Sequence, residues 1–193
     1  MRRLLTVITF LAFGVVPAVA HVGHGSADSF TSGFSHPLTG IDHVMAMVLV
    51  GMWAVMKCGR ALWAGPAVFV GVMLFGSVLG MQGIPLPFVD PAILASVVAL
   101  GLLVALAVDL PLGAAAAIVA VFALFHGYAH GSEVTETVRG IEYMAGFTLA
   151  TASLHVLGIG FAKGMTYLKL RSVLRLAGAV CVVVGAGMFV GLM

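Results

Sequence analysis

Charge is what this chain has least of. Only 8% of its 193 residues are Asp, Glu, Lys or Arg, against about 25% in an ordinary soluble domain, while 62% are apolar. A water-soluble globule of this length needs far more polar cover for its surface. The shortage excludes a soluble enzyme, a nucleic-acid binder and a disordered chain, and leaves an all-α integral membrane protein whose first partner is the lipid bilayer. A net charge of +2 is too small to draw a polyanion, so no nucleic acid is expected. Cysteine is equally scarce: Cys58 and Cys181 cannot form a disulfide scaffold and offer no CxxC metal pair. A GxxxxGK[ST] loop is absent too, so this chain carries no ATPase motif. Histidine, in contrast, is plentiful, with seven residues equalling the acids in number.

The first twenty residues read as a cleavable signal peptide, residues 1–20. Arg2 and Arg3 precede an apolar stretch from Leu4 to Val16, and Pro17 leads into Ala18-Val19-Ala20, an A-x-A site. The remainder of the chain, residues 21–193, reads as a single six-span membrane domain. Its apolar blocks approach the ~20 residues a helix needs to cross a bilayer; they fall at 37–56, 61–80, 91–108, 113–130, 140–162 and 173–192. The breaks between them carry Gly, Pro or a run of basic residues. The reading is a compact bundle of six transmembrane helices. With residue 21 outside, Lys57, Arg60, Lys163, Lys169, Arg171 and Arg175 fall inside and only Arg139 outside. That asymmetry places both mature termini outside. Removing the signal takes away Arg2 and Arg3, leaving seven basic against seven acidic residues.

Small residues four apart (Gly76 and Gly80, Gly101 and Ala105, Gly146 and Ala150, Gly187 and Gly191) put smooth faces on the spans, where helices can approach closely. Trp53 and Trp63, beside the first inside turn, read as interfacial anchors. Met45, Met47, Met52 and Met56 in the first span are expected to be adaptable apolar packing rather than a soft metal pathway.

Ionisable side chains inside spans are costly and point to function. One cluster opens the first span, in Ser35-His36-Pro37-Leu38-Thr39-Gly40-Ile41-Asp42-His43. If the helix starts near Pro37, His36 and His43 lie two turns apart on one face, with Asp42 beside them. Asp42 could instead act as N3 of a capping box begun by Thr39. A second cluster closes the fourth span, in Phe125-His126-Gly127-Tyr128-Ala129-His130-Gly131-Ser132-Glu133. His126 and His130 are four apart, a chelating spacing, and Glu133 comes next on the same face. Topology places both clusters toward the outer surface, where Asp90 and Glu142 also lie. Neutral imidazole with carboxylate suits borderline divalent ions. His155 sits deeper, about 22 Å along the fifth span, as a relay ligand or a packing group. Cleavage would make His21 the N-terminus, with His24 nearby, an external capture site or an incidental tail.

The His36-Pro37 pair, the five-residue spacing to Asp42 and the adjoining His43 resemble the first-span signature of the HupE/UreJ family of nickel permeases. The segment FHGYAHGSE at 125–133 is similar to that family's second signature. The resemblance extends over nearly the whole chain. It implies a secondary permease or facilitator that imports a divalent metal from periplasm to cytoplasm for hydrogenase or urease maturation. The metal is Ni²⁺ first, with Co²⁺ and Zn²⁺ as alternatives, carried as substrate with no prosthetic group. On that basis His36, Asp42, His43, His126, His130 and Glu133 would hold the metal, with His21, His24 and His155 secondary. The location implied is the bacterial inner membrane, multi-pass, with periplasmic termini; a homo-oligomer is compatible with the sequence. The residues alone leave other readings open. These are a membrane sensor or storage protein that binds metal without passing it, an intramembrane metalloprotease, which HGYAH disfavours by lacking the HExxH glutamate, and a b-type cytochrome.

Overall fold

A backbone amide in lipid has no water to bond, so a chain this apolar must satisfy its amides within each segment as helix. The computed structural model describes residues 30–57, 59–134 and 137–192, with backbone alone at 61 and 137–139, and these residues are helical throughout apart from short turns. The helices are α1 (Phe30–Thr39), α2 (Ile41–Lys57), α3 (Ala61–Met81), α4 (Val89–Ala105), α5 (Leu112–Ser132), α6 (Thr137–Tyr167) and α7 (Arg171–Phe189). The protein is thus an all-α membrane protein. Residues 62–81, 112–132, 140–167 and 171–189 are each long and apolar enough to cross a membrane, and α1 with α2 qualifies as a bent pair. The helix α4 is apolar but shorter, at 17 residues. The expected signal peptide, His21 and His24 lie outside the described residues.

The first span departs from expectation. Helix does not begin at Pro37: α1 starts at Phe30, contains Pro37, and meets α2 at Gly40 with a bend of 85°. Pro37 removes one helical N–H, and the Thr39 hydroxyl donates to the His36 carbonyl at 2.7 Å, closing α1 locally. Gly40 suits the corner because a Cβ there would lie 2.9 Å from both Asp42 Oδ1 and His43 Nδ1. His36 and His43 consequently sit on two helices rather than on one face of one helix. Nor does Thr39 form a capping box with Asp42, whose carboxylate instead accepts from the His43 amide at 2.9 Å.

Glycine decides which helices touch. A Cβ on Gly33 would collide with the Tyr143 carbonyl, and one on Gly146 with that of Phe30, so α1 lies backbone-to-backbone on α6. Between α3 and α5 the fit is mutual. Cβ atoms on Gly76 and Gly80 would strike the Leu124 and Tyr128 carbonyls, and those on Gly127 and Gly131 the Met73 and Ser77 carbonyls. Gly101 meets Gly178 and Val182 across α4 and α7. Gly191 departs from the small-residue pattern: it has open space around it and a φ of 71°, and serves the turn after α7.

The core lies along α2, whose Met47, Leu49, Val50, Met52 and Trp53 are buried. Trp53 is therefore a core residue and not an interfacial anchor, whereas Trp63 is 65% exposed. Met47 and Met52 are core packing, with Met45 and Met56 partly buried against them. The Lys57 ammonium pairs with Asp109 in the α4–α5 turn, and Arg175 Nε donates to the Ala105 carbonyl at 2.8 Å. These contacts gather the basic turn after α2, the α4–α5 turn and the start of α7 at one end of the bundle. The α6 helix runs on through Lys163 to Tyr167, so part of the expected basic break is helical. Lysine tolerates this because its long stem lets the ammonium reach water from a helix that is still apolar. The histidine-bearing ends of α1, α2 and α5 meet at the opposite end.

Candidate metal-binding site

The bend at Gly40 carries the chemistry. It ends α1 just after His36 and starts α2 with Asp42 and His43 in its first turn, so both approach the last turns of α5. There His126 and His130 are 0% and 2% exposed. The ring of His130 lies 4.7 Å, centroid to centroid, from the rings of both His36 and His43, and that of His43 lies 4.9 Å from His126. Four histidines from three helices thus form one contiguous group. The glycines of HGYAHG occupy the adjacent face of α5 and press it against α3, and the Tyr128 hydroxyl accepts from the Leu86 amide at 3.3 Å, tying the α3–α4 turn to α5.

Hydrogen bonding fixes the nitrogen lone pairs. His43 Nδ1 is 2.8 Å from Asp42 Oδ1; an ionised carboxylate can only accept, so Nδ1 carries the proton and Nε2 keeps its lone pair. That lone pair faces His130 Nε2 at 2.7 Å. The Ser96 hydroxyl, buried in α4, lies 2.6 Å from the Ile93 carbonyl and 3.0 Å from His126 Nε2. With its single proton given to the carbonyl, Ser96 Oγ accepts from His126 Nε2–H, which leaves His126 Nδ1 a buried lone pair without a partner among the described residues. A carboxylate and a hydroxyl behind the rings are the supports that orient metal-binding imidazoles.

Farther out, a nitrogen of His36, a nitrogen of His130 and a Glu133 oxygen lie within 4.8 Å of one another. Glu133 Oε2 is 3.5 Å from His130 Nδ1 and 3.8 Å from His36 Nε2. The His130 ring beside it, with the neighbouring imidazoles, holds the Glu133 carboxyl below its ordinary range despite partial burial. Glu133 therefore stays ionised well into mild acid. A pocket of about 230 Å³ lined by Ser32, His36, Glu133, Val134 and Tyr143 opens onto this outer group, which is room for several waters. His130 belongs to both groups, presenting Nδ1 outward and Nε2 inward.

The structure brings His36, Asp42, His43, His126, His130 and Glu133 together at one end of the bundle. Asp90 and Glu142 are exposed at the starts of α4 and α6 and stand apart from the cluster. His155 lies deeper and separate. Sequence reasoning missed Ser96, Phe69 and the aromatic wall. Phe147 packs its ring 4.2 Å from His130, and Tyr143 stands 6.2 Å from His36. Ser96 had a weak signal, as a solitary hydroxyl in an apolar run; Phe69 had none. Ser96→Ala is expected to insert normally and to raise the metal concentration for half-maximal uptake by about 10-fold, the usual effect of removing a support behind a ligand. Uptake kinetics in proteoliposomes check it, and an unchanged half-saturation would show that His126 needs no orientation.

A family model described as HupE / UreJ protein matches residues 8–188. "Protein HupE" of Rhizobium leguminosarum bv. viciae is 45% identical over 186 residues, covering 96% of this chain and 97% of the relative. No solved structure matches.

Proposed function

Because the chain belongs to the HupE/UreJ family, we propose that it is a secondary permease for a divalent transition metal, Ni²⁺ first, and that the histidine cluster is where the ion enters. The observation that carries this reading is the pair of facing nitrogens, His43 Nε2 and His130 Nε2, 2.7 Å apart, next to the group of His36, His130 and Glu133 whose donor atoms lie within 4.8 Å of one another. A cation with metal–nitrogen bonds of about 2.0–2.1 Å and two nitrogens at right angles holds them roughly 2.9 Å apart, so the pair needs to open by only a few tenths of an ångström. Loading the ion requires His130 to give up its Nε2 proton, and the tautomer that results carries Nδ1–H toward the Glu133 carboxylate. Imidazole donors suit Ni²⁺, Co²⁺ and Zn²⁺ over Mg²⁺ and Ca²⁺, and the carboxylate helps to balance the ion's charge.

In this reading the ion loses water in the pocket lined by His36, Glu133 and Tyr143, then passes inward around His130 to His43 and His126. The excess of Lys and Arg at the opposite end supports a periplasmic mouth and import toward the cytoplasm, across the inner membrane, by a six-span domain spanning 21–193. Delivery to hydrogenase or urease maturation is what the family relationship suggests. Energy comes from a gradient or from capture on the far side.

Uptake of radioactive Ni²⁺ into proteoliposomes, competed by Co²⁺ and Zn²⁺, tests the proposal. Saturable uptake with Ni²⁺ the preferred ion is expected. Binding without accumulation would identify a metal-holding protein instead.

A further inference from the structure

Along α6, Tyr143, Phe147, Thr151 and His155 recur every four residues and are all buried, at 3%, 0%, 0% and 1% exposure. That spacing keeps them on one face. The face starts at the outer pocket with Tyr143, passes His130 at Phe147, and ends at His155, about 18 Å farther on by helical rise. His155 is a buried ionisable group that the metal-binding cluster does not use. Neither of its ring nitrogens has a hydrogen-bond partner among the described residues. The nearby hydroxyl that could have served it, Thr151 one turn earlier, is directed instead to the Met73 sulfur at 3.7 Å. A histidine kept only for interhelical bonding would be bonded. The ring of Phe69 fills the space between the levels: its centroid is 5.7 Å from that of His126 and 5.1 Å from that of His155.

We propose that His155 is the ligand of a second, deeper station for the divalent transition-metal ion, reached from the histidine cluster past the ring of Phe69. The inference rests on the permease reading. The donors on hand are neutral: an imidazole nitrogen and, one turn earlier on α6, the Thr151 hydroxyl, which meets the Met73 thioether of α3 at 3.7 Å. Such a set accepts a borderline ion and rejects Mg²⁺ and Ca²⁺. Lacking a carboxylate, it holds the ion loosely, which suits a site that must release it onward. Phe69 keeps the two levels from merging into one water-filled cavity, and the face of its ring can attract a partly dehydrated cation as it passes.

The test replaces the imidazole with a ligand that reports on the metal. In full-length protein in detergent, His155→Cys loaded with Co²⁺ is expected to show a thiolate-to-cobalt charge-transfer absorption absent from the wild type, which carries Cys58 and Cys181 as internal controls. In proteoliposomes, His155→Ala and the volume-filling His155→Phe should both lower the maximal rate of Ni²⁺ uptake by about 10-fold or more. The half-saturating concentration should not change, because the outer cluster is untouched. No absorption from the cysteine variant, or a wild-type rate from His155→Phe, would overturn the proposal and make His155 a packing residue. Failure of the permease reading itself would show elsewhere, as binding of Ni²⁺ by the wild-type protein without any accumulation in proteoliposomes.

Discussion

His130→Ala is expected to accumulate in the membrane at near wild-type level and to lose metal uptake by about 100-fold or more. The size reflects its double position. One nitrogen lies 2.7 Å from His43 Nε2 and the other 3.5 Å from Glu133, so one substitution removes a donor from both the outer and the inner group. Loss of a support behind a ligand typically costs 10–100-fold, and loss of a shared ligand should cost at least as much. Asp42 separates orientation from charge. Asp42→Ala deprives His43 Nδ1–H of its acceptor and frees the ring to rotate or to change tautomer, and should come close to the His130 variant. Asp42→Asn keeps an oxygen that can accept from His43 but removes the negative charge, and should fall between Ala and wild type. Uptake of radioactive Ni²⁺, normalised to the amount of inserted protein, checks all three. Wild-type transport by both alanine variants would place the ion's path elsewhere.

The second large effect is structural. Gly127→Leu should sharply lower the yield and thermal stability of the protein, by more than about 3 kcal/mol, a loss that requires a named mechanism. The mechanism is backbone contact. A Cβ at Gly127 would overlap the Met73 carbonyl, and Gly76, Gly80 and Gly131 leave α3 and α5 no room to slide. Helices pressed together this way must separate to admit a side chain, and separation draws His126 from Phe69 and His130 from His43. Gly71 provides the control. It lies on α3 too, is exposed, and has open space where a Cβ would go. Gly71→Ala should be neutral or slightly stabilising, because alanine is the better helix former. The surviving monodisperse fraction after heating in detergent compares the two. Equal behaviour would mean that the α3–α5 contact tolerates expansion.

The two predictions draw on one nine-residue segment, 125–133, in which four-residue spacing puts histidines on one face of α5 and glycines on the next. The histidine pair is legible from spacing alone, because helical periodicity assigns a residue to a face whatever lies opposite, whereas the packing role of Gly127 and Gly131 emerges only from their contacts with α3. The same rule failed between His36 and His43. Their separation of seven residues indicates a shared face only if the helix is continuous, and Gly40 turns it through 85°. The bend still brings the two rings within 6.5 Å, edge to face, so the residues come together as expected, but by a geometry other than the shared helix face. Trp53 shows the complementary limit. Proximity to a turn suggested an interfacial position, but the neighbouring helices close over it.

Scarcity of charge alone determined that this protein lives in a bilayer and folds as helices, since lipid offers its backbone no other partner. The histidines and carboxylates that would meet a metal were legible too, because a polar group placed in an apolar span must be compensated by function. The tertiary structure decided how those groups are connected. It supplied Ser96 behind His126, Phe69 between His126 and His155, and one ring, His130, facing two ways. Such relations depend on the rotation and depth of one helix against another. Those are set by backbone contacts between glycines far apart in the chain, and a periodic pattern within a single helix carries no record of them.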